Sequence, residues 1–219
     1  FLVTQKHSIL SASPELFFHR SDATILCSPI KGTRPRGVSE QQDQNLANEL
    51  QDSSKDRAEL AMIVDLVRND LGRIAEIGSV QVRTHARLES LPNVHHLVSD
   101  IEATLSKQIV FSDIIRALFP SGSITGTPKI AAMELIATLE QRPRRIYTGS
   151  IGCVGPNRLA TFSVAIRTGI CADGTFRFSS GGAVVIDSIP DDEFEETLAK
   201  AQSLYLPYQA FYQSTETTT

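Results

Sequence analysis

The chain has 219 residues, which is enough for one large domain, and 41% of them are hydrophobic, which is enough for a sizeable core and excludes a disordered chain. The formal net charge of -4 argues against a general nucleic-acid binder. No apolar run approaches the roughly 18 residues of a membrane-spanning helix. Because of the net charge and the short apolar runs, we expect neither nucleic acid nor membrane as a partner.

Short β-rich runs occupy the first 28 residues, and we predict strands over 1–5, 8–12, 16–20 and 23–27. The chain begins as if in the middle of a strand, which predicts that an N-terminal part is missing. Glu15 lies in a bend just before the apolar residues Leu16, Phe17 and Phe18. Burial beside that surface would raise the pKa of Glu15, whereas the alternative is an exposed acid in a turn.

The segment Pro29-Ile30-Lys31-Gly32-Thr33-Arg34-Pro35-Arg36 follows the fourth strand, and we predict that it is a loop. Its two prolines restrict the backbone at both ends, and Gly32 permits a tight turn or a close approach to a ligand. Lys31 is thereby held at a defined point and can act as a nucleophile in its neutral form. The alternative is a basic surface loop with a solvated lysine.

Two helices are predicted next, over 39–50 and 54–70. In the second helix Glu59 borders the apolar stripe, and Asp56 lies one turn earlier. A carboxylate at such a border needs a base, a hydrogen-bond network or a cation as its partner. The alternative for both acids is simple stabilisation by the helix dipole. The apolar stripe consists of Leu60, Ile63, Val67 and Leu71.

Strands are then predicted over 79–88 and 94–105, followed by a helix over 111–118. Alternation in the second strand predicts one inward and one outward histidine of the pair His95 and His96. The hydroxyl-rich run from Pro120 to Lys129 opens a further helix to about residue 140, with Thr127 as N-cap and Pro128 as the first helical residue. Such a run can bind an anion or simply cap the helix.

The final third predicts strands over 146–154, 159–171 and 175–180, with Asp173-Gly174 as a hairpin turn. Gly181 and Gly182 follow, where a backbone can approach a ligand closely. A helix after Pro190 places Glu193, Glu196 and Lys200 on one face, and we expect it to stop at Pro207. The alternative for its acids is a solvated first turn. Residues 214–219 read as a disordered tail.

The cysteines Cys27, Cys153 and Cys171 have neither metal-binding spacing nor the pattern of a disulfide framework. They fit a reducing compartment, and we expect a cytoplasmic protein. None lies at the sharp strand-to-helix turn that would suit a glutaminase nucleophile.

Together these segments resemble one family, the chorismate-utilising enzymes, over nearly the whole chain. The resemblance implies an α+β fold with an antiparallel β-sandwich flanked by helices, and one catalytic domain over 1–213. The motifs that carry it are Ser13-Pro14-Glu15, the lysine segment, Glu59 to Asp70, Val94 to Ser99, Pro120 to Lys129, Ile166-Arg167-Thr168, Gly181-Gly182 and Glu193 to Lys200.

The lysine segment is similar to that of the aminodeoxychorismate synthase branch, which replaces the 4-hydroxyl of chorismate with an amino group. The resemblance implies that Lys31 attacks the ring, that Glu15 assists departure of the hydroxyl, and that a separate glutamine amidotransferase subunit supplies ammonia. It implies Mg²⁺ as cofactor, with the ligands Glu59 and Glu196 and, one helical turn before each, Asp56 and Glu193. It places against the substrate Gly32, Thr33, His96, Ser123, Tyr147, Arg167, Gly181, Gly182, Ala183 (through its backbone N–H) and Lys200.

Three alternatives remain at this point. A sibling reaction of the family would form anthranilate or isochorismate, and Lys31 discriminates against it because anthranilate synthases carry alanine there. A noncatalytic binding module would keep the fold without turnover. A nucleotide-binding loop at Ser121 to Lys129 ranks last, because its glycine spacing does not match a Walker A loop.

Overall fold

The computed structural model describes residues 1–186 and 188–216, with all side chains except those of residues 203, 208 and 210–216. The chain divides into two compact units. The larger unit comprises Glu15–Pro143 and Ile151–Ser163, and the smaller one comprises Phe1–Pro14, Arg144–Ser150 and the chain from Val164 onward. The single domain predicted over 1–213 stays a prediction.

Antiparallel sheets and helices make up both units, which confirms the predicted α+β class. The strands are β1 (Leu2–Val3), β2 (Ser8–Ser11), β3 (Leu16–Ser21), β4 (Thr24–Ser28), β5 (Ile30–Pro35), β6 (Gln81–Ser90), β7 (Val94–Thr104), β8 (Ser150–Val154), β9 (Ala160–Val164), β10 (Thr168–Ala172) and β11 (Thr175–Phe178). The helices are α1 (Glu40–Asp52), α2 (Ser54–Gly72), α3 (Phe111–Leu118), α4 (Gly122–Thr125), α5 (Lys129–Glu140) and α6 (Pro190–Glu216).

The sheet of the smaller unit has the order β1-β2-β10-β11, and its strands pair antiparallel. Asp173 and Gly174 connect the last two strands with φ values of 49° and 69°, so the predicted hairpin turn is confirmed. The long strand predicted over 159–171 is two strands instead. It breaks just before β10, where Arg167 has a φ of 47°.

The sheet of the larger unit has the order β5-β7-β4-β3-β9-β8, with β6 also paired to β7. The loop predicted for the lysine segment is wrong, because Ile30–Pro35 is a strand that pairs with β7. Pro35 is tolerated in β5 because β5 is the edge strand of this sheet. A proline that faces the open edge removes no hydrogen bond of the ladder. Gly32 has a φ of 75°, and the register of β5 shifts between Lys31 and Thr33, as in a β-bulge.

Helix α2 packs on this sheet through the stripe that its sequence predicts. Leu60, Ile63, Val67 and Leu71 are all buried. Ser53 caps the helix, because its side chain accepts a hydrogen bond from the backbone N–H of Asp56. The cap starts α2 at Ser54 and so places the acids of its first two turns next to β5.

The prediction of one inward and one outward histidine is wrong. His95 and His96 are exposed by only 2% and 3%, and residues 95–99 of β7 are buried in succession. Both faces of the strand are therefore covered at this point, so alternation no longer separates core from solvent.

Two helix boundaries also differ from the predictions. The N-cap of α5 is Pro128 rather than Thr127, and it makes no side-chain capping bond. Pro207 lies inside α6 rather than at its end. It is exposed, so water can satisfy the carbonyl that the missing N–H leaves unbonded. Of the predicted tail, 214–216 lie in α6 and 217–219 lie outside the described residues.

Candidate active site

Lys31 lies on β5 opposite Leu97 of β7, directly before the bulge at Gly32. Its Nζ is 3.9 Å from the Oε2 of Glu59, and the two side chains are 16% and 17% exposed. A Cβ on Gly32 would come within 2.8 Å of the Leu50 Cδ1. The bulge therefore requires glycine for its positive φ and for space, and it fixes where the lysine leaves the strand.

Glu15 is 6% exposed, as expected from its apolar neighbours. Burial raises its pKa from 4.5 to about 7, against the opposing effects of a hydrogen bond with the Ser123 side chain, the charge of Lys31 and the backbone of Ile30. A carboxyl group with that pKa can hold a proton near neutral pH and deliver it, which a general acid requires. The charge of the predicted nucleophile, Lys31, therefore acts on the predicted acid within the larger unit.

Arg34 joins the acids of this region. Its Nε donates to Glu49 over 2.7 Å, and its Nη2 lies 3.3 Å from the Oδ2 of Asp56. The predicted pair on α2 thus has a cation beside each carboxylate, with Arg34 at Asp56 and Lys31 at Glu59. A mostly buried carboxylate needs such a partner, and here the chain itself supplies one.

His96 and Thr33 contact each other across the β5–β7 ladder. The Nδ1 of His96 is 2.9 Å from the Thr33 Oγ1 and 3.4 Å from the carbonyl oxygen of Gly32. Three of the residues predicted to lie against the substrate, Gly32, Thr33 and His96, are therefore brought together around the bulge. Ser123, another of them, lies on α4 and reaches Glu15.

The remaining predicted residues lie in the smaller unit. Several of them are neighbours, because the backbone of one closely approaches the side chain of another. A Cβ on Gly181 would lie 2.8 Å from the Tyr147 hydroxyl, and one on Gly182 would lie 3.3 Å from the Oε2 of Glu193. These two glycines therefore leave room for the two side chains. Ala183 follows in the same irregular segment, between β11 and α6.

Helix α6 and Arg167 carry the charged residues that the sequence predicts for a site in the smaller unit. The Ser188 hydroxyl donates to Glu193 Oε1 over 2.6 Å, and Lys200 Nζ donates to Glu196 Oε1 one turn away. The side chains of Lys200 and Glu196 are 41% and 51% exposed. Burial lowers the pKa of Arg167, which nonetheless stays charged at neutral pH.

The described part of the chain contains no group of three or more His, Cys, Asp or Glu arranged to hold a metal. The predicted magnesium ligands form two pairs, with Asp56 and Glu59 on α2 and Glu193 and Glu196 on α6. All supply carboxylate oxygens, the ligand type that Mg²⁺ prefers. The donor chemistry therefore fits the ion, and the assignment stays a prediction.

Two partnerships in the larger unit escaped the sequence. The hydrogen bond between Glu15 and Ser123 joins residues far apart in the chain. The buried ion pair of Asp70 and Lys129 has the same character, with 2.5 Å between Nζ and Oδ2. The sequence indicated the hydroxyl-rich run from Pro120 to Lys129 as a possible anion site, but no local pattern pairs its residues with Glu15 or Asp70.

A family model described as "chorismate binding enzyme" matches residues 1–206. The chain is 46% identical over 204 residues to aminodeoxychorismate synthase component 1 of Escherichia coli, covering 93% of this chain and 45% of that protein. It is 44% identical over 196 residues to anthranilate synthase component 1 3 of Haloarcula marismortui, covering 90% of this chain and 39% of that protein.

The crystal structure of anthranilate synthase component I from Streptococcus pneumoniae TIGR4 superposes with a TM-score of 0.82 at 34% identity, covering 91% of this chain and 44% of that one. The chain thus spans less than half of the length of these relatives. Because the family match includes both compact units, the chain belongs to the chorismate binding enzyme family.

Proposed function

We propose that the chain forms the chorismate-binding catalytic part of an aminodeoxychorismate synthase large component, which converts chorismate and ammonia to 4-amino-4-deoxychorismate. One observation carries the proposal. Lys31 projects from the bulged strand beside Glu59, and its charge acts on the buried Glu15, whose pKa is about 7. A potential nucleophile and a proton donor thus lie in one small region.

In the proposed reaction Lys31 and Glu15 divide one difficult displacement into two easier ones. The Lys31 amine forms a C–N bond to the ring while Glu15 gives its proton to the 4-hydroxyl, which leaves as water. Ammonia then forms the new C–N bond, and the lysine departs as a free amine. Arg167 would hold one substrate carboxylate with its planar guanidinium.

Magnesium enters the proposal through the acids that the resemblance assigns to it: Glu59, Glu196, Asp56 and Glu193. When bound, the ion would neutralise a substrate carboxylate. The chain's own contribution is to present oxygen ligands on α2 and α6.

The test is to supply the purified protein with chorismate, Mg²⁺ and ammonium and to identify the product by mass. We expect 4-amino-4-deoxychorismate. Anthranilate would support the second candidate, anthranilate synthase, which the Haloarcula relative favours. Isochorismate would point to another sibling reaction. Magnesium-dependent turnover by the full-length protein would exclude a noncatalytic module.

The nitrogen source gives a separate prediction. Cys27 is buried, and burial raises the pKa of its thiol to about 12, so it is a poor nucleophile. Cys153 and Cys171 lie on the strands β8 and β10. We therefore expect turnover with free ammonia alone, and with glutamine only when a separate amidotransferase subunit is added. Glutamine-dependent turnover by the purified protein without that subunit would contradict this.

None of the described helices combines the length and the hydrophobicity that a membrane crossing needs.

A further inference from the structure

A buried ion pair connects α2 to the start of α5. Asp70 is 5% exposed, and Lys129 donates from Nζ to its Oδ2 over 2.5 Å. The same Nζ donates to the carbonyl oxygen of Leu118 over 3.2 Å. Lys129 therefore ties together both ends of the segment 118–129 and fixes that segment to α2.

Helix α2 holds this segment at a second point. A Cβ on Gly122 would come within 2.5 Å of the Leu66 Cδ2, so the backbone of α4 lies directly on the Leu66 side chain. Leu66 and Asp70 are one helical turn apart on the same face of α2. The segment is thus anchored to one helix by a steric contact and by a charge pair.

The anchored segment presents a hydroxyl to the proposed acid. Ser123 hydrogen-bonds with Glu15, and its Oγ lies 3.0 Å from the Oγ of Ser121. Asp70, Ser121, Gly122 and Glu15 line one small cavity. Lys31 of β5 acts on Glu15 through its charge, and the other titratable residues that line the cavity are Cys27 of β4 and Asp70 of α2.

We propose that Asp70 and Lys129 are positioning residues, which hold the segment 118–129 so that the Ser123 hydroxyl stays on the Glu15 carboxyl. The inference deepens the proposed function and rests on it for the role of Glu15 as the acid. Neither residue of the pair is assigned to the substrate. Their effect on the reaction passes through Ser123.

A direct titration of Glu15 tests the proposal without requiring turnover. Difference infrared spectroscopy follows the carboxyl band of the protein, and E15Q identifies the part that belongs to Glu15. In S123A the lost hydrogen bond no longer favours the charged form of Glu15. We therefore expect the midpoint of the Glu15 titration to rise by roughly 0.5 to 1 pH unit. The double variant D70N/K129M removes both charges of the pair, so no isolated charge is left beside Glu15.

We expect D70N/K129M to raise the midpoint as S123A does, and the triple variant S123A/D70N/K129M to raise it no further. G122A provides an independent displacement in case the double variant does not fold. Its added methyl group meets Leu66 and should raise the midpoint, whereas L66A/G122A restores the space and should return the midpoint toward the wild-type value.

Two outcomes would overturn the proposal. In one, D70N/K129M or G122A folds and keeps the wild-type midpoint while S123A raises it. In the other, S123A itself leaves the midpoint unchanged. Failure of the proposed function is separate, because it appears as absence of 4-amino-4-deoxychorismate in the wild-type reaction.

Discussion

The acids of α2 and those of α6 carry the same predicted role in different surroundings. Asp56 and Glu59 are partnered by Arg34 and Lys31 of another element, the strand β5. Glu196 is paired with Lys200 in its own helix, one turn away, and its side chain is half exposed. The region around β5 is therefore organised by tertiary contacts, whereas the ion pair of α6 is set by helical spacing.

This difference predicts where chemistry and stability are sensitive to substitution. In the region around β5, packing and partners on another element hold the charged side chains. On α6 a charge of the right sign at the right turn satisfies the described ion pair. The four predictions below test that distinction, from the largest expected effect to the smallest.

Lys31 should be required as a nucleophile and not only as a charge. Lys31→Ala and Lys31→Arg should each lower the amination rate by roughly 10³-fold, because a guanidinium keeps the charge but does not attack. Without ammonia, intact-mass measurement should detect a chorismate adduct on the wild type and none on Lys31→Ala.

On α6, Lys200→Arg is the matched control and should retain most of the activity, because a positive charge is all that its proposed role needs. Amination by Lys31→Arg at the wild-type rate would show that a charge suffices at β5 too. The contrast between the two regions would then fail.

Glu15 should impose a pH dependence on both rate and stability. The proton donor is lost as pH rises through its pKa of about 7, so the amination rate should fall there, and Glu15→Gln should remove this decrease.

The pH dependence of stability follows from the same group. The folded state binds the Glu15 proton more tightly than the unfolded state. The stabilisation is therefore complete below pH 4.5 and is lost as pH rises to about 7, by roughly 3 kcal/mol.

Urea unfolding of wild type and Glu15→Gln at pH 4.5 and pH 8 measures this loss, since Glu15→Gln should lack it. An equal change in both proteins would show that Glu15 is ionised in the folded protein at neutral pH. Burial would then not raise the pKa of Glu15, and the region around β5 would lose this evidence of tertiary organisation.

Magnesium dependence tests whether the two acid pairs share a role despite their surroundings. Glu59→Gln and Glu196→Gln should each raise the magnesium concentration for half-maximal rate by about tenfold or more, and weaken substrate binding with it. Glu134→Gln, at an exposed position of α5, is the control and should change neither. Unchanged titrations in both test variants would remove the magnesium assignment.

The smallest expected effects concern stability. Lys200→Ala breaks an exposed i,i+4 pair and should lower the free energy of unfolding by about 0.3–0.5 kcal/mol. Arg34→Ala removes the partner of the mostly buried Asp56 and should cost more, about 1 kcal/mol or above. Chemical unfolding of both variants measures the difference, and equal losses would contradict the comparison.

Local pattern was sufficient where the physical cause is itself local. The helical period identified the buried stripe of α2, Asp173-Gly174 identified a turn, and the apolar neighbours of Glu15 indicated its raised pKa. The acids of α6 fall on one face because residues three and four apart in a helix lie together. Each of these follows from bond geometry or from neighbours in sequence.

Tertiary structure decided the rest, because it depends on which distant segments meet. Lys31 lies on a strand and not in a loop because β7 supplies its ladder partners. His95 and His96 are both buried because both faces of β7 are covered there. The Ser123 bond to Glu15 joins elements that no local pattern connects. The sequence by itself thus determined which side chains are available for chemistry, and only packing decided which neighbours hold them.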